Sequence, residues 1–300
     1  MDSSLIEIAD KITAGRRLRE PEVVAVMATN DLLAIGRLAD EARRQRHGDR
    51  ITFVRVAEIR VTDDPQTRKQ KELMTAGELR IVGSPPSFDR ALSFVRAVVN
   101  VSDGTPVTGF SLNDLEKLCT VESMRLEDAL SRLRDAGLAL ISEAEVEQLQ
   151  DPLTVFSTAG RVGLGVARLT ISTVELSARL SLFQRVAGWQ TVAGVVRAFV
   201  PIPRAVSREW PSTGYDDIRQ VALARLLVDN IESIQVDWRQ SGPKLAQVAL
   251  TFGADDVDGV SPVDTSDLGR RRTAIAEIRR NIEAASFVPV ERNGYFEPLR

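Results

Sequence analysis

A chain of 300 residues with 39 lysines and arginines against 42 aspartates and glutamates carries a formal net charge of −3. That near-balance leaves no electrostatic footprint for nucleic acid or an anionic membrane surface, and the length allows one large α/β unit. One cysteine excludes an internal disulfide, and one cysteine with one histidine falls short of a zinc ligand set.

No run approaches the roughly 18 uncharged apolar residues of a membrane span. The opening segment MDSSLIEIADKITAGRRLREP has neither an unbroken apolar stretch nor a small-residue cleavage site. The expectation is a cytoplasmic protein without membrane insertion or a nucleic-acid partner.

Residues 3–47 read as helices, with Asn30 as the cap of the segment carrying Leu32, Leu33, Ile35, Leu38 and Ala42, and Gly48 as its stop. Eight β-branched runs follow: ITFVRVAEIRV (51–61), ELRIV (78–82), TPVTGF (105–110), LALI (138–141), ARLTIS (167–172), VVRAFV (195–200), SIQVDW (233–238) and DDVDGV (255–260). Amphipathic segments lie between most of them, clearest at 87–99, 112–119, 125–137, 173–189, 213–231 and 242–253. Alternation of this kind is the signature of repeated βα units, and eight of them predict a TIM-like (β/α)₈ barrel. The connection TDDPQTRKQKELMTAG is polar and makes a poor barrel helix, SPVDTSDLGRRR reads as a loop, and TAIAEIRRNIEAA reads as a last charged helix. The expected organisation is an N-terminal helical segment (1–50), the barrel (51–265) and a C-terminal helix and tail (266–300), packed as one domain.

Several features invite a chemical reading beside a structural one. GRVGLG at 160–165 follows a helix and precedes a strand, the reverse of a dinucleotide fingerprint, so it reads as a helix stop. Cys119 shares helical spacing with Leu112, Leu115 and Leu118 and reads as a small core residue, and His47 sits at a basic helix end that suits a capping role. Asp255, Asp256 and Asp258 are the densest acidic group at a strand end; Asp256 and Asp258 share a face, and they can hold a ligand or solvate a turn. Gln235 and Asp237 face one way and Val236 and Trp238 the other; either pair can line the barrel, with core packing preferred for Trp238. Lys244, after Gly242 and Pro243, opens a helix where a cation and free N–H groups can meet an anion, and a solvated helix start explains it equally well.

Two long segments then point to a family. STGYDDIRQVALARLLVDNI (212–231) and IQVDWRQSGPKLAQVALTFGADDVDG (234–259) resemble the carboxy-terminal half of the radical S-adenosylmethionine enzymes of futalosine-type menaquinone biosynthesis, aminofutalosine synthase and dehypoxanthine futalosine cyclase. Relatives that build the deazaflavin chromophore share the pattern less closely. DLLAIGRLADEARRQRHGDRITFV (31–54), LRDAGLALI (133–141), FVPIP (199–203) and PVERNGYF (289–296) add to the match, which covers most of the chain. The resemblance implies a barrel of the radical S-adenosylmethionine type, with N-terminal helices and a C-terminal helical extension.

The departures fall where the family's chemistry resides. Members carry CxxxCxxC after the first strand, three thiolates for a [4Fe–4S] cluster; this chain reads AEIRVTDDPQTRKQ. The Gly-Gly contact to S-adenosylmethionine after the second strand is replaced by Gly83, Ser84, Pro85 and Pro86, and proline lacks the N–H such a contact uses. Ile141, Ser142, Glu143 and Ala144 occupy a glycine-rich turn of the family, and Ile171 to Glu175 keep only the Val-Glu of Tyr-Gly-His-Val-Glu. Arg204 and Ala205 stand where an aromatic and a histidine follow FVPIP.

These departures imply no iron–sulfur cluster, no bound metal and no supported S-adenosylmethionine site. The favoured reading is a catalytically degenerate barrel that binds a small molecule or partners an active family paralogue as a hetero-oligomer. The alternative is an enzyme with non-radical chemistry on a nucleoside- or chorismate-derived ligand, which needs an acid/base pair at the barrel mouth. Candidate ligand-binding residues are Glu175, Gln235, Asp237, Lys244, Asp256 and Asp258.

Overall fold

The computed structural model describes residues 3–67, 70–172, 178–203, 213–263 and 275–299. Eight parallel strands among them close into a barrel: β1 (Arg50–Arg60), β2 (Glu78–Val82), β3 (Val107–Ser111), β4 (Leu140–Glu145), β5 (Val166–Thr170), β6 (Val196–Val200), β7 (Ser233–Asp237) and β8 (Asp256–Val260). Each pairs with its sequence neighbours, and β1 closes the ring by pairing with both β2 and β8. The strands lie where the β-branched runs predict, with the largest displacement at β4, expected at 138–141.

Helices cover the outside. The amino-terminal layer holds α1 (Ser3–Thr13), α2 (Glu20–Ala28) and α3 (Leu32–His47); the short α4 (Gln70–Thr75) follows β1, and α5 (Phe88–Val101) follows β2. Then come α6 (Leu112–Val121), α7 (Leu126–Asp135), α8 (Pro152–Arg161), α9 (Arg179–Ala193), α10 (Gly214–Leu227), α11 (Trp238–Leu250) and α12 (Ile275–Ala284). Asp31, not Asn30, caps α3, its carboxylate accepting from the Ala34 N–H at 2.9 Å. Asn30 stands one residue too early for its side chain to reach that turn. α8 stops before Gly163, whose φ of +72° only glycine adopts readily, and the chain then enters β5 as GRVGLG predicts. Gly242, at φ +69°, interrupts α11: a single turn from Trp238 precedes it, and the longer helical segment starts at Pro243, next to the expected start at 242. No helix among the described residues is long and apolar enough to cross a membrane.

Strand alternation sorts the side chains into two environments. Ile51, Phe53, Ile59, Leu79, Ile81, Val236 and Val257 join the helices in one apolar cluster between the two layers. The opposite faces put polar groups into the lumen: Asp258 on β8 bonds Arg80 on β2 and Arg168 on β5, a contact that crosses the barrel because these strands are not neighbours. Burial of the outer faces, at about 25 cal/mol per Å², stabilises the barrel while the lumen is held by ion pairs.

The carboxy-terminal tail contributes an element the sequence pattern does not single out. β9 (Val288–Glu291) pairs in parallel with the first residues of β1, from Arg50↔Val288 to Phe53↔Glu291. Arg292 then enters the lower, amino-terminal end of the lumen. Its Nε and Nη2 donate to both oxygens of Asp256 at 2.6 and 2.7 Å, while Phe296 stacks on its guanidinium at 3.8 Å. Thr52 Oγ1 and Gln235 Nε2 donate to the same carboxylate at 2.5 and 2.6 Å. Removing one partner of a buried pair strands the other charge, so Arg292→Met is expected to cost about 3–5 kcal/mol in urea denaturation. The double variant Arg292→Met with Asp256→Asn should recover part of that loss.

A candidate ligand-binding site at the barrel mouth

The carboxyl ends of the strands surround a cavity of about 220 Å³. Its lining is polar: Glu58 from β1, Arg80 from β2, Ser111 from β3, Glu143 from β4, Arg168 from β5, Asp237 from β7 and Arg239 from the first turn of α11. Backbone and phenyl atoms of Gly83 and Phe110 complete the wall, and Phe110 sits at φ +59°, a conformation bulky residues seldom adopt.

Asp258 sets the floor. It is fully buried, and Arg80 grips it with Nη1 and Nη2 at 3.0 and 2.8 Å while Arg168 Nη1 reaches Oδ2 at 2.5 Å. Burial alone would raise the carboxyl pKa, but attraction to Arg80 and Arg168 outweighs it and holds the group well below the usual carboxylate range. Burial likewise opposes the charge on Arg80, and Asp258 with Glu78 overcomes that and raises the guanidinium pKa. Glu78 accepts from Arg80 Nε at 2.7 Å and from Thr108 Oγ1 at 2.6 Å. Arg168 also donates to Glu143 Oε2 at 3.1 Å and to the Ser142 carbonyl at 3.3 Å, so the floor orients a carboxylate of the wall.

A second chain of contacts crosses the rim. Asp237 Oδ1 caps α11 by accepting from the N–H groups of Arg239 and Gln240 at 2.8 and 3.1 Å. A Cβ on Gly259, which has φ +74°, would stand 3.0 Å from that oxygen, so the glycine after Asp258 lets the two strand ends approach. Arg239, placed by this cap, pairs with Glu58 Oε2 at 2.8 Å, and its buried Nε has no hydrogen-bond partner among the described residues.

The expected site residues do not gather in one place. Asp258 lies under the mouth and Asp237 on its rim, whereas Gln235 and Asp256 sit at the lower end of the lumen against Arg292. Asp255, opposite them, faces the helix layer, where its carboxylate bonds Arg225 and accepts from the Ile234 N–H at 2.8 Å. Lys244 is exposed on α11 and does not line the mouth. Glu175, Arg204 and Ala205 lie outside the described residues, as does most of the expected loop SPVDTSDLGRRR. Trp238 and Cys119 are buried in the apolar cluster, and His47 bridges to the residue before β7 through the Glu232 carbonyl at 3.2 Å, a tertiary contact beyond helix capping.

Sequence reasoning passes over Arg80, Arg168, Glu58, Glu143 and Arg239. For the first two a signal exists: an arginine at the centre of ELRIV and of ARLT, on the alternation face opposite the aliphatics, belongs in a lumen where an acid must meet it.

The cluster that the family resemblance implies does not fit these residues. The end of β1 offers Glu58, Ile59 and Arg60. The chain's one thiol, Cys119, is buried on α6, where burial together with Glu122 and Glu116 pushes it up to about 11. Among the described residues no group of three or more His, Cys, Asp or Glu side chains is arranged to hold a metal ion.

Asp258→Asn leaves two buried arginines without their shared carboxylate and is expected to cost about 3–5 kcal/mol. Because the folded carboxyl titrates below the roughly 3.9 of an unfolded aspartate, its stabilisation is complete above that pH and is lost as pH falls toward the folded value. Urea midpoints followed from about pH 7 to about pH 3 should therefore fall more steeply for the natural chain than for Asp258→Asn.

Residues 203–300 match the family model of the CofH/MqnC C-terminal region. The whole chain is 26% identical to aminodeoxyfutalosine synthase of Thermus thermophilus, of which the alignment covers 97%. That alignment runs to 366 positions against 300 residues here, so the relative carries insertions this chain lacks. The 5-amino-6-(D-ribitylamino)uracil–L-tyrosine 4-hydroxyphenyl transferase of Archaeoglobus fulgidus is also 26% identical, over 92% of this chain and 98% of its own. Among solved structures, methylornithine synthase (PylB) shares the fold with a TM-score of 0.70 at 14% identity, over 94% of this chain and 97% of that one. The [FeFe]-hydrogenase maturase HydG does so with a TM-score of 0.69 at 13% identity, over 97% and 76%.

Proposed function

We propose that this chain, which belongs with the radical S-adenosylmethionine enzymes of the futalosine route to menaquinone, is a cluster-free member that binds a small polar molecule at its barrel mouth. One observation carries the reading. At the end of β1, where the family's fold brings its thiolates, Glu58 is ion-paired to Arg239, and the cavity behind that pair is lined by charged groups and not packed with aliphatic side chains.

The lining suits a ligand with several hydrogen-bonding groups. Carboxylates of Glu58, Asp114 and Glu143 accept from hydroxyls or amines, and the guanidiniums of Arg168 and Arg239 donate to a carboxylate or carbonyl oxygen. A nucleoside or a chorismate-derived acid has that mixture. Non-radical catalysis on such a ligand would need an acid/base pair, and the nearest candidates, Glu58 and Glu143, are each engaged by an arginine, which favours binding.

Anaerobic treatment with iron and sulfide tests the first half. The expected outcome is folded protein with no stoichiometric iron–sulfur absorption and no cleavage of S-adenosylmethionine on reduction; a cluster with cleavage activity overturns the proposal. For the second half, a ligand at 100 times its dissociation constant should raise stability by about 2.7 kcal/mol. Thermal shifts with nucleosides and chorismate-derived acids should find such a ligand, and Arg239→Ala should abolish its effect.

A further inference from the structure

A second cavity, of about 270 Å³, lies outside the lower end of the barrel, between the α1–α2 connection, the last turns of α3 and the end of α10. Its chemistry differs from that of the mouth. Ile12 and Leu226 give it an apolar wall, while Arg16, Arg17 and Arg46 stand at its rim and Arg225 beneath them. Asp229 is the one carboxylate among the described lining residues.

Charge accounting leaves this cavity positive. Asp229 is taken by Arg17, whose Nε lies 2.7 Å from its carboxylate. Arg46 spends its guanidinium on the backbone carbonyls of Asp229 and Ile231, which are uncharged, so its cation is not neutralised. Arg16 forms no ion pair among the described residues. Arg225 is fully buried and bonds Asp255, the Gly253 carbonyl and the Glu232 carbonyl. Burial pushes its pKa down against the attraction of Asp255, with Arg46 and Arg43 adding to the fall.

A basic rim over an apolar wall excludes a neutral hydrocarbon and gives a bare inorganic anion no use for the wall. We propose that this cavity is a binding site for a small amphiphilic anion, an aryl or alkyl frame bearing one carboxylate or phosphate. The oxyanion is held by the guanidiniums of Arg46 and Arg16, and the frame lies against Ile12 and Leu226. The site is independent of the mouth, at the opposite end of the barrel.

Calorimetric titration of the full chain with benzoate, phenyl phosphate and inorganic phosphate tests the proposal. At least one aryl anion is expected to bind saturably and at least tenfold more tightly than inorganic phosphate, and which one wins identifies the headgroup. The double variant Arg16→Gln with Arg46→Gln, both exposed positions, should weaken that binding at least tenfold. Ala42→Leu, which fills the cavity without changing charge, should do the same, whereas Arg239→Ala at the mouth should leave it intact. Absence of saturable aryl-anion binding, equal binding of inorganic phosphate, or binding indifferent to both cavity variants overturns the proposal.

Discussion

One buried carboxylate in the lumen constrains the rest of this barrel. Moving an ion such as Asp258 out of water costs several kcal/mol, and the cost is offset only when the remaining lone pairs are filled with well-aligned donors. Two arginines do this from different sides, Arg80 with a two-pronged grip and Arg168 with a single short bond. Both guanidiniums are thereby drawn inward, which leaves the cavity above them to be shaped by what they do not use. Glu143 is fixed because Arg168 has a second nitrogen to satisfy, and glycine follows Asp258 because the backbone there takes φ +74° and a Cβ would press on Asp237 Oδ1 at 3.0 Å.

The run DDVDG distributes its three acids to three parts of the molecule. Asp255 ties the strand to α10 through Arg225, Asp256 receives the tail through Arg292, and Asp258 joins β2 and β5. An acidic cluster in sequence is thus a dispersed set of anchors in space. The mouth draws its chemistry from strands far apart in sequence, and β8 contributes mostly the support beneath it.

This division explains what is legible in the sequence. The barrel is legible because short β-branched runs such as ITFV, RIV and VVRAFV alternate with longer segments that carry aliphatics at a helical period. Asp256 and Asp258 are legible as a pair sharing one face. Their partners are not, because no local pattern links Asp258 to a residue 178 positions earlier, or Asp256 to one 36 later. The capping role of Asp237 is hidden for a different reason: its strand ends and its helix begins with no loop between, so an alternation argument treats as wall what is the first turn of α11. β9 escapes notice because a four-residue segment with a proline carries too little pattern to separate it from a tail.

That short strand has a consequence for the protein before and after folding. β2 pairs only with the upper part of β1, from Val56 to Arg60, and β9 occupies the same side below it, from Arg50 to Phe53. Without β9 the chain would present an open row of amide and carbonyl groups along Ile51, Thr52 and Phe53, beside two fully buried apolar side chains. Unpaired edges of that composition recruit strands from other molecules. The tail therefore satisfies the backbone edge of β1 as well as filling the lower lumen through Arg292.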